Sequence, residues 1–349
     1  MRLRTFSCTT VPAGIQEQLN KKKNSSSKLS PPSPGSNWHQ VEKEKPLHAE
    51  TMIIDDCSFT ATDIDREIWT GITKMQLIRY YHEVWPLMEP HIKDRPQSLH
   101  VKLMNATAPG MYIKDMEGRE PECASIFPDK RKHKKPGKRD VIDYLVCNNE
   151  ATLLYMINLG CIDINPWTSR ISSPEQPDYI IIDLDPSDND FKKAITAAQA
   201  ANQFLKGASL KTFVKTSGKT GIHIYVPCRG FSFPAARTIA ENICKGIHKL
   251  LPKITTTLVS VLARGNKLYL DPNQNDYADT VAAPYAARPY HIPSVSTPLE
   301  WKEVNDKLDP ASFTITTIEK RIQKKGDLFA GVHDEHIAIA NSKRLMRFL

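Results

Sequence analysis

The 349-residue chain has no pair of cysteines at C-x-x-C spacing; its seven cysteines, at positions 8, 57, 123, 147, 161, 228 and 244, are scattered and odd in number. That pattern excludes a cysteine-rich zinc site and reads as reduced thiols in a cytosolic protein. No stretch approaches the roughly 18 apolar residues of a membrane span, and the N-terminus lacks the apolar core of a signal peptide. A soluble intracellular protein with no membrane partner is expected. There is no internal repeat, and the Gly-x-x-x-x-Gly-Lys-Ser/Thr spacing of a P-loop is absent. What is present is ordinary for a globular protein, 40% hydrophobic and 25% charged residues. Lys plus Arg number 47 against 39 Asp plus Glu, a net charge of +8 that leans towards polyanionic partners such as nucleic acid.

Residues 21–36, KKKNSSSKLSPPSPGS, combine a basic run with Ser and Pro and have too little apolar content to offset the entropy of folding. Residues 1–46 therefore read as a mobile arm or interdomain linker, 47–333 as the folded domain and 334–349 as a loosely attached tail. Thr73 can cap a helix with Gln76 three residues on, and Leu77, Ile78, Tyr81, Trp85 and Met88 mark its apolar face up to a stop near Pro90. Residues 130–139, KRKHKKPGKR, read as a basic loop, either simply solvated or touching nucleic acid. From Tyr179 strand and helix signals alternate. Strands are expected at 179–182, 212–215, 222–226 and 267–270, with helices carrying Phe191, Ile195, Ala198, Asn202 and Leu205, then Ile239, Ile243, Ile247 and Leu250. The fold class is α/β (α+β).

Asp183 and Asp185 directly follow the apolar strand 179–182, and because side chains alternate along a strand both point to one face. Two neighbouring acids repel unless a cation lies between them, and an all-oxygen donor set suits Mg²⁺ or Mn²⁺. A pair of solvated acids is the plainer alternative. Three further features favour chemistry. The turn Lys215-Thr216-Ser217-Gly218-Lys219-Thr220-Gly221-Ile222-His223 offers Ser217, Lys219 and His223 to a triphosphate. Asp271 ends a strand and supplies a third carboxylate if that strand lies beside 179–185. Arg288, in TVAAPYAARP, can neutralise triphosphate charge. Three carboxylates around two cations are the minimum for two-metal phosphoryl transfer. Trp167, Tyr155 and Tyr112 read as core aromatics, with base stacking the lesser alternative.

The segments KDRPQSL (93–99), YLVCNNEATLLYMINLGCIDINPWTSR (144–170), DYIIIDLDP (178–186), FVKTSGKTGIHIYVP (213–227), NKLYLDPNQND (266–276), AAPYAARP (282–289), VSTPLEWKEV (295–304) and GDLFAGV (326–332) occur in one order. Over about 58–333 the chain resembles the polymerase domain of the bacterial ligase D family, within the archaeo-eukaryotic primase superfamily. The resemblance implies a prim-pol fold, with a central mixed β-sheet carrying the catalytic carboxylates and flanked by helices. It implies that Asp183, Asp185 and Asp271 are catalytic metal ligands for two Mn²⁺ or Mg²⁺ ions. It places Lys114, Ser217, Lys219, His223, Gln274 and Arg288 at the incoming nucleotide, together with Asn165, which stands where many members have His. Members of the family add nucleotides, often ribonucleotides, to DNA ends in non-homologous end-joining.

Primer-template DNA ends and NTP or dNTP are the partners so implied, with a Ku-like end-binding protein and a separate DNA ligase beside them. The expected location is the cytoplasm, at the nucleoid when on DNA. Residues 36–46 resemble the tether between modules of longer ligase D proteins. No Lys-x-Asp-Gly adenylation motif is present, so no ligase activity is expected. Two other readings stay open: a non-catalytic DNA-end-binding module, and an aspartyl-phosphate hydrolase presenting its nucleophile as Asp-x-Asp. Against the hydrolase, Pro186 follows the second Asp and no downstream Lys and Asp pair matches.

Overall fold

The computed structural model describes residues 49–54, 57–130 and 140–335. The expected arm over 1–46, nearly all of the basic loop at 130–139 and the tail beyond Glu335 lie outside the described residues.

The N-terminal half is built from short antiparallel ladders packed on two helices. β1 (Ala49–Ile54) pairs with β2 (Cys57–Thr62), and β3 (Glu67–Trp69) pairs with β4 (Ile72–Thr73). Helix α1 (Lys74–Ile92) then starts on the expected capping box, Thr73 accepting from Gln76 N–H while the Gln76 side chain returns to Thr73 N–H. It runs two residues past the expected stop at Pro90. A proline removes only its own N–H from the ladder, and Lys93 N–H still closes on Glu89 O at 2.9 Å. β5 (Leu99–Val101) pairs with β6 (Met111–Ile113), and β7 (Ser125–Lys130) with β8 (Val141–Val146). Helix α2 (Glu150–Asn158), capped by Asn149, is buried along its whole length against α1.

The C-terminal half is a six-stranded mixed sheet. Its strands are β9 (Tyr179–Pro186), β10 (Phe213–Thr216), β11 (Ile222–Pro227), β12 (Thr255–Thr256), β13 (Leu268–Asp271) and β14 (Pro298–Leu299). They lie in the order β12-β13-β9-β11-β10-β14, antiparallel throughout except for the β12–β13 pair. Helices α3 (Phe191–Gly207) and α4 (Phe233–Leu250) cover one face; two short helices follow, α5 (Val261–Arg264) and α6 (Ile318–Lys325). Alternation sorts each strand. Ile180, Ile182, Leu184, Val214, Ile222, Ile224, Val226, Leu268 and Leu270 pack against α3 and α4, so Asp183, Asp185, His223, Lys215 and Asp271 are left on the opposite face. At one end of that face Tyr179, Ile181 and Tyr225 pack on Phe329 and Val332.

Three expectations need correction. β9 continues to Pro186, so the two acids lie inside the strand rather than after it. Both neighbouring strands keep pairing with it there, a long-range effect that a polar sequence does not advertise. On α4, Ile239, Ile243 and Ile247 are buried, but Leu250 at the helix end is 54% exposed. The cysteines are not all reduced: Cys57 and Cys123, 66 positions apart, form a disulfide. The β1–β2 hairpin folds back onto the loop before β7, a juxtaposition invisible in the spacing. Cys147, Cys161, Cys228 and Cys244 are free and buried. Among the described residues no helix is long and apolar enough to cross a membrane.

Candidate active site

Strand register assembles the site. Asp271 on β13 is the Cα partner of Asp183 on β9, Asp183 is the partner of His223 on β11, and His223 is the partner of Lys215 on β10. One row across the sheet therefore reads Asp271, Asp183, His223, Lys215, all on the face away from the helices. Asp185 projects from the same face two residues on, beside Gly221. A Cβ on Gly221 would lie 2.8 Å from Leu184 O, so only glycine lets the turn come this close to β9.

Asp183 keeps 29% of its side chain exposed, yet its Oδ1 is buried and has no hydrogen-bond partner. Burial, reinforced by Asp185 and Asp271 and opposed by Lys215 and Arg288, pushes its carboxyl up to about 7. A buried, unpartnered carboxylate oxygen with two further acids beside it fits a hard cation. The three acids are not gathered into a cage. Asp271 Oδ1 accepts from Asn273 N–H at 2.8 Å and from the Tyr269 hydroxyl at 3.3 Å, while Asp185 Oδ1 accepts from the Thr220 hydroxyl at 2.9 Å. Among the described residues no three His, Cys, Asp or Glu side chains already converge as a ligand set.

The turn after β10 is held from within. Ser217 Oγ accepts from Lys219 N–H at 3.2 Å and Gly221 N–H at 3.0 Å, and Ser217 N–H donates to Gly221 O at 2.8 Å. Gly218 has φ +77°, and a Cβ there would come within 2.9 Å of Ser296 N and 2.4 Å of Arg288 Cγ. Gly218→Ala is accordingly expected to cost more than about 1 kcal/mol of stability and to displace Arg288. Urea denaturation reads the first effect, and a crystal structure of the variant reads the second. Equal midpoints for variant and wild type would contradict it.

The two halves meet at Asp163. Its Oδ1 pairs with His100 Nδ1 at 3.1 Å and its Oδ2 lies 3.7 Å from Arg288 Nη1. Burial alone would push the Asp163 carboxyl up; the His100 hydrogen bond and the Arg288 guanidinium outweigh it and hold the group below the ordinary carboxylate value. Lys219 stands in the same cluster. Burial first, then Arg288, lowers its ammonium pKa, and it also feels Asp163, Lys102 and Asp185. Asn165 is buried beside Asp163.

The structure thus brings Asp183, Asp185, Asp271, Ser217, Lys219, His223, Arg288 and Asn165 into one cluster. Gln274 sits in the turn just after Asp271, its Nε2 donating to Thr280 O at 2.7 Å. Lys114 is exposed and close enough to Asp279 to oppose the rise that burial causes in its carboxyl pKa; Asp279 also feels Asp271. Sequence reasoning passed over Lys102, Asp163, His100, Ser296 and Lys215. Of these only Lys215 left a local trace, since hairpin pairing across the Ser217 turn sets it opposite His223. Trp167 and Tyr155 are core residues, as weighed, but Tyr112 is 66% exposed and stacks on His100 at 4.6 Å.

A family model described as LigD, primase-polymerase domain, matches residues 73–329. The bifunctional non-homologous end joining protein LigD of Bacillus subtilis strain 168 is 28% identical over 307 residues, 85% of this chain and 47% of that protein. The multifunctional non-homologous end joining protein LigD of Mycolicibacterium smegmatis is 26% identical over 266 residues, 75% of this chain and 34% of that one. The chain thus spans half or less of the length of these curated relatives. Among solved structures, the polymerase domain of Mycobacterium tuberculosis ligase D in complex with DNA superposes with a TM-score of 0.71 at 22% identity, covering 80% of this chain and 99% of that one. A mixed sheet of the same fold, with a family match that runs from the start of α1 to the segment packed beneath β9, shows that the chain belongs to the LigD primase-polymerase domain family.

Proposed function

We propose that the chain is a DNA-end polymerase that adds ribo- or deoxyribonucleotides to a primer 3′-hydroxyl during non-homologous end-joining. The observation that carries this reading is the row Asp271, Asp183, His223, Lys215 on one sheet face, with an orphaned carboxylate oxygen at its centre and Arg288 and Lys219 alongside. Residues 47–333 form the catalytic unit in this reading, flanked by an arm and a tail. Asp183, Asp185 and Asp271 would hold two Mn²⁺ or Mg²⁺ ions, which when bound supply activation of the attacking hydroxyl and neutralisation of the leaving pyrophosphate. The protein's own part is positioning and charge. Arg288 and Lys219 face the triphosphate, Ser217 keeps the turn closed, and Asp163 keeps Arg288 in place. Asn165, Gln274 and Lys114 complete the nucleotide contacts, with Lys114 the most remote of them. Tyr112, backed by His100, offers an aromatic face to a base. A Ku-like protein and a separate ligase would bring the end and seal it, in the cytoplasm at the nucleoid.

The test is extension of a labelled primer with a short 5′ overhang, with Mn²⁺ and each NTP or dNTP, beside the double variant Asp183→Ala/Asp185→Ala. Templated addition that disappears in the variant supports the reading; folded wild-type protein that adds nothing under varied metal, nucleotide and end structure overturns it. Because a proton competes for Asp183 near pH 7, cation binding at pH 7 is expected to release protons and to tighten from pH 6 to pH 8. Calorimetry in buffers of different ionisation enthalpy reads this; a heat independent of the buffer would refute it.

A further inference from the structure

Lys215, at the end of the row, is fully buried, and no part of the sequence reading gave it a role. Its Nζ lies 2.9 Å from His223 Nδ1 and also donates to Ser296 Oγ. As an ammonium, Lys215 brings only donors to these contacts. The Ser296 hydroxyl proton is committed to Thr216 O at 3.1 Å, so Ser296 Oγ must accept from Lys215. Of the two ammonium protons left, one points at His223 Nδ1, which accepts. A neutral imidazole whose Nδ1 accepts carries its proton on Nε2, and Nε2 is the nitrogen that faces the carboxylate row, 3.5 Å from Asp183 Oδ1. Cross-strand pairing makes this a built arrangement: Lys215 and His223 are Cα partners, and Lys215 Nζ lies over the Tyr225 ring, 5.7 Å from its centroid.

We propose that Lys215, anchored by Ser296, is a positioning residue that locks His223 in the Nε2–H tautomer, so that its ring N–H is presented to the phosphates of the incoming nucleotide. Without Lys215 the ring is free to place its proton on Nδ1 and turn a lone pair towards the triphosphate, where lone pair and phosphate oxygens repel. The inference rests on the polymerase reading for the identity of the ligand, but the tautomer itself does not.

Lys215→Met keeps the volume and removes the donor. In full-length protein it is expected to raise the KM for nucleotide on the order of tenfold or more, with a smaller change in kcat and unchanged DNA binding. The ¹⁵N chemical shifts of labelled His223 should move from a pure Nε2–H pattern to a mixture of tautomers. Ser296→Ala, which loosens the ammonium without touching His223, should give the same changes in smaller measure, and it decides the matter if Lys215→Met does not fold. Wild-type KM together with an unmoved Nε2–H pattern in the folded variants would overturn the proposal, as would a wild-type His223 already protonated on Nδ1. A wild-type protein that fails to extend primers but shows the Nε2–H pattern would sink the polymerase reading and leave the tautomer lock standing.

Discussion

Asp183→Asn is expected to abolish nucleotide addition, by on the order of a thousandfold or more, while making the metal-free protein more stable. The two effects have one source. Asp183 stands at the centre of the carboxylate row with Oδ1 buried and unpartnered, and its carboxyl is raised to about 7. In the unfolded chain the same group titrates near about 3.9. Below about pH 4 both states hold the proton and nothing is lost. Between about 4 and 7 the unfolded chain releases its proton while the folded protein keeps it, so stability falls as pH rises, and the full penalty applies above 7. Asn is neutral throughout. The variant should therefore melt higher than wild type at pH 8 without divalent cation and close to wild type at pH 4. Added Mn²⁺ should raise the wild-type melting temperature far more than that of the variant. Primer extension and melting curves at the two pH values read all of this, and a variant that extends at the wild-type rate would remove Asp183 from the site.

Arg95→Met is expected to destabilise the fold by about 3 kcal/mol, the cost of stripping a buried carboxylate of one of its two close guanidinium partners. Arg95 is fully buried and spans the two halves of the molecule. Its guanidinium donates to Asp178, to Thr168 O at 2.7 Å and to Trp167 O at 3.3 Å, and it lies 5.1 Å from the centre of the Tyr179 ring. Asp178 is 6% exposed. Arg170 Nε, at 2.9 Å, is its other close partner, whereas Arg229 and His333 stand at 3.7 and 3.8 Å. Losing Arg95 unsettles the start of β9, four positions before Asp183, so activity should fall with stability. Adding Asp178→Asn to the variant removes the stranded charge and should restore part of the loss. Denaturant midpoints give the answer: a single variant within about 0.5 kcal/mol of wild type, the range of an ordinary surface change, would show that the pair carries little.

Some of the site was legible because its signals are local. The capping box at Thr73 and Gln76 needs only a hydroxyl and an amide three residues apart, and it forms as read. Alternation in YIIIDLDP sends Asp183 and Asp185 to one face whatever lies next to that strand. The hairpin around Ser217 and Gly218 follows from two apolar runs flanking a short glycine turn. Other features had no local signal. Asp163 sits in an apolar stretch as an unremarked acid, yet it joins His100 from one half to Arg288 from the other. Cys57 and Cys123 gave no spacing to read, and Leu250 kept the helical period of its neighbours while standing exposed at the helix end.

By itself the sequence determined which face of each strand carries polar groups, where α1 begins and where the glycine turn lies, because these depend on side-chain alternation, capping and glycine geometry within a few residues. The tertiary structure alone decided that β13 and β11 flank β9. Strand order is set by how α3 and α4 bury their apolar faces against the whole sheet, a balance summed over residues far apart in the chain. That order sets Asp271, Asp183, His223 and the buried Lys215 in one row, with Asp185 on the same face beside it.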